Sequence, residues 1–181
     1  MSMQKRLFVA INLPDSLKEK VSGQIIPIVS HNGLKPVGKE NLHLTLLFLG
    51  AIPEVEIGEL IVKLKAVSFA PFHAALKGFS HFDGRVLFIK AEKGAEEIVS
   101  LSRKINSALG KNEKCDAHLT IARNKGMQKK EFLEIIDLLS KKNFEAEFEV
   151  NSFELVESIL MQKGPQYPVV HRFSASIPST S

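Results

Sequence analysis

The chain has 181 residues, 44% of them hydrophobic, a formal net charge of +4 and a pI near 9.1; that is enough chain for one ordinary soluble domain or two small lobes sharing a core. Cys115 is the only cysteine, which excludes an intrachain disulfide framework and points to a reducing, cytoplasmic setting. The charge excludes a strongly cationic nucleic-acid coat and fits a lysine-rich solvated surface or a phosphate-bearing ligand equally well.

In chain order, Lys5 and Arg6 precede the apolar run Leu7–Ile11, which is too short for a secretion signal or a membrane span. Residues 6–13 read as a buried first strand ending at Pro14. A helix over 15–29, a strand over 42–49, a helix over 54–66 and strands near 72–81 and 85–91 follow. Next come a helix over 94–109, a strand over 117–123, a helix over 128–141, strands near 145–150 and 152–161, and a last strand over 168–176. Asp15, Glu54, Glu96 and Glu97 lie near helix starts, where the dipole favours negative charge. Phe82-Asp83-Gly84-Arg85 carries the Asp-Gly signal of a tight hairpin. Residues 177–181 read as a frayed tail.

One phrase occurs twice: His43-Leu44-Thr45-Leu46 and His118-Leu119-Thr120-Ile121, 75 residues apart (118 − 43). Side chains alternate along a strand, so each copy presents an imidazole and a hydroxyl on one face and aliphatic residues on the other. Each copy follows a helix and a polar loop and precedes another helix, an order that suits a duplicated and diverged unit. No Pro/Gly-rich linker separates the halves, so residues 1–176 are expected to form a single bilobal unit, each lobe carrying one motif.

Histidine takes and gives protons near neutrality, and two of them suggest a base paired with an acid. In-line displacement at a phosphodiester needs such a pair on opposite sides of phosphorus. Thr45 and Thr120 can donate to non-bridging phosphoryl oxygens as charge builds there. The set contains neither clustered carboxylates nor zinc-ligand spacing, so no metal is required. His31, His73 and His81 lack a matching partner, whereas His171-Arg172 is the remaining pair best placed to border a cleft.

Several segments resemble the two-histidine phosphoesterase superfamily, and within it the RNA 2′,3′-cyclic phosphodiesterases, also described as 2′-5′ RNA ligases. Arg6–Pro14 looks like the family's first strand, Asn41–Gly50 like its first motif, His118–Arg123 like its second, and Leu160–Tyr167, with Gly164-Pro165-x-Tyr167, like its closing segment. The resemblance implies an α+β, bilobal, pseudo-symmetric fold in which two antiparallel sheets line a central cleft with helices outside. It also implies cofactor-free hydrolysis of a 2′,3′-cyclic phosphate on an RNA end to a 2′-phosphomonoester. By that similarity His43 is the proton donor to the leaving O3′ and His118 the proton acceptor from water, while Thr45, Thr120 and Arg123 hold the phosphate.

Strand parity bears on Arg123: five residues beyond His118, it points away from the cleft unless a bulge or a strand end intervenes. Phe48 has the same offset from His43 and either enters the core or stacks on a terminal base. Tyr167, the only tyrosine, is placed to line the rim. The chain has no tryptophan, and Leu34-Lys35-Pro36-Val37 lacks the aromatic that some relatives carry there. Three other readings stay open: ATP-independent 2′-5′ ligation at the same site, binding of RNA ends without catalysis, and a small cyclic phosphate substrate. The expected partner is RNA ending in a 2′,3′-cyclic phosphate, met by a monomer with no membrane attachment.

Overall fold

The computed structural model describes residues 3–30, 33–162 and 164–176. His31 and the tail at 177–181 therefore lie outside the described residues. The elements run β1 (Gln4–Asn12), α1 (Asp15–Gln24), α2 (Ile26–Val29), β2 (Leu34–Pro36), β3 (His43–Pro53), α3 (Ile57–Lys65), β4 (Phe72–Phe82), β5 (Val86–Ala91), α4 (Ala95–Ala108), β6 (His118–Asn124), α5 (Lys129–Ser140), β7 (Glu145–Val150), β8 (Ser152–Glu157), β9 (Ile159–Met161), β10 (Gly164–Gln166) and β11 (Val169–Ser174). One-turn 3₁₀ helices precede β3 and α3.

The α+β architecture expected from the sequence is present, and the hydrogen-bond order specifies how its halves join. One half runs β11-β8-β1-β3, the other β6-β5-β4-β7 with β2 on the free side of β6, and every ladder is antiparallel. The halves meet at one pair, Leu44 opposite Leu119. They thus form one continuous sheet with a narrow waist.

Alternation along the strands separates two faces. Leu44, Leu46, Leu119 and Ile121 point into the main core with Leu7, Val9 and Ile11 of β1. The helices cover that face through Leu17 and Val21 of α1, Ile98, Leu101 and Ile105 of α4, and Phe132, Ile135 and Leu139 of α5. On the opposite face Phe8, Ala10 and Val156 make a small second cluster against Tyr167. β1 is therefore buried on both sides, which explains its continuous apolar run.

The expected Asp-Gly turn joins β4 to β5, with Asp83 at φ 47° and Gly84 at φ 69° and the Arg85 N–H donating to the Phe82 carbonyl at 2.8 Å. Two positive φ values in succession match the twist of a two-residue hairpin. Three segments depart from the reading of the sequence. The helix expected over 15–29 breaks at Ile25 before Pro27, as a proline without an N–H requires. The strand expected over 152–161 splits into β8 and β9, and β9 pairs with β10 in a separate two-stranded sheet. β2 and β10, three residues each, have no periodicity long enough to announce them.

Candidate active site

His43 opens β3 immediately after the turn Lys39–Asn41. Its Nδ1 lies 2.6 Å from the Asn41 carbonyl; a carbonyl only accepts, so the proton of the neutral ring sits on Nδ1 and Nε2 carries the lone pair. The Thr45 hydroxyl donates to that Nε2 at 3.1 Å. Asn41 also donates through Nδ2 to the Pro165 carbonyl at 2.9 Å, which ties the β9–β10 hairpin over the ring. Tyr167 then stands edge-on to His43 at 5.3 Å, and Phe8 closes the other side at 5.0 Å. Burial among these rings lowers the His43 pKa to about 4; the Asn41 carbonyl opposes the shift, and the charges of Lys18, His118 and Arg123 add to it.

His118 repeats the arrangement at the start of β6. Its Nδ1–H donates to the Asp116 carbonyl, two residues back, at 2.7 Å. Two aromatics wall it in: Phe88 at 4.9 Å and Phe82, from the base of the Asp-Gly hairpin, at 5.0 Å. Burial lowers its pKa; the Asp116 carbonyl and carboxylate oppose that shift, while Arg123 reinforces it.

The Leu44–Leu119 pair sets the mutual geometry. Stepping one residue outward along an antiparallel register sets His43 across from Thr120 and Thr45 across from His118. The two histidines are diagonal neighbours, for which roughly 7–8 Å is usual. That leaves room for a phosphoryl group between two Nε2 edges.

Each motif strand then carries a bulge. Along β1/β3 the register passes from Ala10–Thr45 to Val9–Leu47, skipping Leu46, and along β5/β6 from Phe88–Thr120 to Leu87–Ala122, skipping Ile121. The extra residue reverses parity. Leu46 and Leu47 are both buried, as are Ile121 and Ala122, and the next residues, Phe48 and Arg123, turn back to the histidine face. Arg123 reaches the cleft by the bulge its parity demanded. Phe48 is 69% exposed, so of its two readings the core one is excluded.

The cleft, about 630 Å³, is lined by His43, Thr45, Phe48, His118, Thr120, Arg123 and Tyr167, so the structure brings all seven candidate residues together. Its rim adds Arg6, Lys35 and Lys125, and among the described lining residues there is no carboxylate. The charged side chains of the lining are thus cationic, which suits a phosphate-bearing ligand. A second groove, about 570 Å³, opens beside Thr45 and His118 between residues 46–50 and Lys111–Asp116.

The other histidines lie apart. His81 accepts the Gly84 N–H at 3.0 Å and packs edge-on to Phe132, a structural role in the hairpin, and His73 is exposed on β4. The expectation that His171-Arg172 borders the cleft is corrected. Both residues sit on the outermost strand β11, where His171 packs on Phe173 and Arg172 binds the buried Glu154 at 2.7 and 2.9 Å. Sequence reasoning missed Phe8, Phe82 and Phe88, the walls around the imidazoles. Their signal was available only through pairing: Phe88 faces Thr120 and Phe8 faces Phe48. No helix among the described residues is long and apolar enough to cross a membrane.

Comparison with known proteins gives a consistent picture. The family model described as the 2′-5′ RNA ligase superfamily matches residues 14–159. A protein named RNA 2′,3′-cyclic phosphodiesterase from Archaeoglobus fulgidus is 37% identical, with 90% of this chain and 96% of that protein covered. One of the same name from Methanocaldococcus jannaschii is 33% identical, with 91% and 98% covered. A crystal structure of a Thermus thermophilus protein superposes with a TM-score of 0.76 at 31% identity, over 93% of this chain and 97% of that one. The apo structure of E. coli LigT gives a TM-score of 0.80 over 97% of this chain and 100% of that one, at 21% identity, a likeness of fold alone. With two His-x-Thr strands meeting across one cleft and relatives matched over nearly their full length, this chain belongs to the 2′-5′ RNA ligase superfamily of two-histidine phosphoesterases.

Proposed function

We propose that the protein hydrolyses a 2′,3′-cyclic phosphate at an RNA end to a 2′-phosphomonoester. The observation that carries this reading is the matched pair of imidazoles in one cleft, each with Nδ1 tied to the carbonyl two residues back, which leaves Nε2 as the working nitrogen; that of His43 meets the Thr45 hydroxyl. The names of the relatives supply the substrate class.

His118, the more open ring, takes a proton from water as the water oxygen bonds to phosphorus. The P–O3′ bond breaks opposite, and the His43 Nε2–H protonates the departing O3′. His43 suits a leaving oxygen because Phe8 and Tyr167 shield it from solvent. It must first be charged, and the bound phosphodiester anion supplies the drive. An anion about 4 Å away is worth about 4 kcal/mol at an intermediate dielectric, or about a thousandfold in protonation. Thr45, Thr120 and Arg123 hold the non-bridging oxygens, and Arg6, Lys35 and Lys125 draw in the RNA strand. Phe48 and Tyr167 offer faces for the terminal base.

The same reading has residues 1–176 acting as one monomeric catalytic unit in the cytoplasm. Each half supplies one histidine, and the halves share a sheet. The second groove, lined by Lys111 and Lys114 and equally by Glu113 and Asp116, opens beside His118 and gives an RNA 5′-hydroxyl a path to the position of the attacking water. That favours 2′-5′ ligation when RNA ends are held together: the 5′-hydroxyl replaces water as nucleophile, its oxygen bonds to phosphorus and the P–O3′ bond breaks as in hydrolysis. The test is incubation with EDTA of a short RNA ending in a 2′,3′-cyclic phosphate, with 2′- and 3′-phosphates resolved. Accumulation of the 2′-phosphate is expected; no turnover of that RNA or of a cyclic mononucleotide would overturn the reading.

A further inference from the structure

The two bulges are held by different means. In the second half β2 lies beside β6, and the Val37 N–H just beyond it donates to the carbonyl of the bulged Ile121 at 2.9 Å. On the side of β3 away from β1, no strand among the described residues lies beside the corresponding stretch, since β3 pairs with β6 only at Leu44. There the carbonyl of the bulged Leu46 accepts from a side chain, the Ser102 hydroxyl of α4, at 2.7 Å. Ser102 is 1% exposed.

Ser102 is the first member of a buried polar chain. Asn106, one turn on and 5% exposed, donates through Nδ2 to the Ser102 carbonyl at 2.9 Å and to the Glu113 carbonyl at 3.3 Å. Its Oδ1 accepts the Glu113 N–H at 2.9 Å. The segment so clasped leads to Cys115, whose thiol reaches the Thr45 carbonyl at 3.6 Å, and to Asp116, whose carbonyl fixes His118. A fully satisfied buried network specifies one geometry, because each broken bond leaves an unpaired group in a dry site.

We infer that Ser102 and Asn106 are positioning residues that couple the two half-sites, Ser102 by pinning the bulge that turns Phe48 into the cleft and Asn106 by clasping the segment that presents Asp116 to His118. One helix thereby sets the base-contacting wall of the first half and the tautomer of the histidine in the second. The serine hydroxyl does for β3 what a neighbouring strand does for β6.

The inference rests on the two-histidine reading of the cleft, and its test does not depend on turnover. Binding of adenosine 2′-monophosphate is measured by calorimetry for the native protein, Phe48→Ala, Ser102→Ala, Ser102→Thr and the Phe48→Ala/Ser102→Ala pair. Loss of a stacking face weakens binding about tenfold. Ser102→Ala is expected to do the same, to add little once Phe48 is gone, and to be rescued by Ser102→Thr. In parallel, NMR titration of His118, which Asp116 and Arg123 face as charged groups and His43 faces across the cleft, is expected to show a changed midpoint in Asn106→Ser, larger than any change at His43. Should Ser102→Ala not fold, the Asn106→Ser titration decides. Independent factors for Phe48 and Ser102, or native binding and an unmoved His118 midpoint with only thermal stability lowered, would overturn the inference. Absence of turnover in a native protein that still shows this binding cycle would instead count against the phosphodiesterase reading.

Discussion

The two halves of the cleft repeat one backbone plan and differ in what they put on it. Both follow His-x-Thr with a bulge, yet the residue the bulge returns to the cleft is an aromatic in the first half, Phe48, and a cation in the second, Arg123. The first histidine is sealed by Phe8 and Tyr167, while the second stands between Phe82 and Phe88 with Asp116 beside it. A symmetric frame thus yields an asymmetric pair: one shielded imidazole beside an exposed aromatic, one more open imidazole beside a fixed positive charge. Equivalence belongs to the backbone, and chemistry to the departures from it.

The comparison breaks first if either histidine is dispensable. His43→Ala and His118→Ala are each expected to lower turnover of a cyclic-phosphate RNA at least about 10³-fold, since each removes one proton transfer. Circular dichroism should show both folds intact, because the rings lie on the cleft face and not in the main core. Comparable residual activity in one of them would mean that only one half works.

Next comes the difference in burial. The folded His43 pKa of about 4 lies below an ordinary value of 6.5, so the unfolded chain takes up the proton first as pH falls. Stability is then present above about pH 6.5 and lost towards pH 4, by up to about 3 kcal/mol. Denaturant unfolding across this window should show that slope, and His43→Asn should flatten it more than His118→Asn does.

The Phe48/Arg123 exchange predicts a split in kinetics. Arg123→Ala is expected to lower kcat/KM about 10- to 100-fold for cyclic mononucleotide and RNA alike, since it removes charge from the phosphate. Phe48→Ala should raise KM about tenfold with kcat nearly unchanged. The smallest effect separates the threonines. Thr45→Val and Thr120→Val are each expected to lower kcat/KM about tenfold, the loss of one donor to phosphate under the proposed reading. Only Thr45→Val should also move the pH limb belonging to His43, because the Thr45 hydroxyl bonds to its Nε2.

Much of this site was legible in the chain. Alternation told that His43 and Thr45 share a face, and the wrong parity of Arg123 demanded the bulge that is found. Most of the longer elements showed their period or their turn chemistry, as at Asp83-Gly84. Pairing of distant strands was illegible: nothing local says that Leu44 meets Leu119, that β8 lies beside β1, or that Phe88 stands opposite Thr120. The Ser102–Asn106 clasp left a faint trace, two polar residues one turn apart among Ile98, Leu101 and Ile105. Its meaning depended on a carbonyl 56 residues away in sequence.

The strand order also bears on how the molecule comes into being. β1, near the start of the chain, is flanked on one side by β8, with Leu7 opposite Glu157, and the ring over His43 is Tyr167. A ribosome adding about 5–20 residues per second leaves β1 waiting on the order of ten seconds for its neighbour. The nascent amino-terminal half has an open apolar edge throughout that interval and an unroofed first histidine. The site is therefore complete only after β8 and Tyr167, made long after the strands they join, close on β1 and on His43.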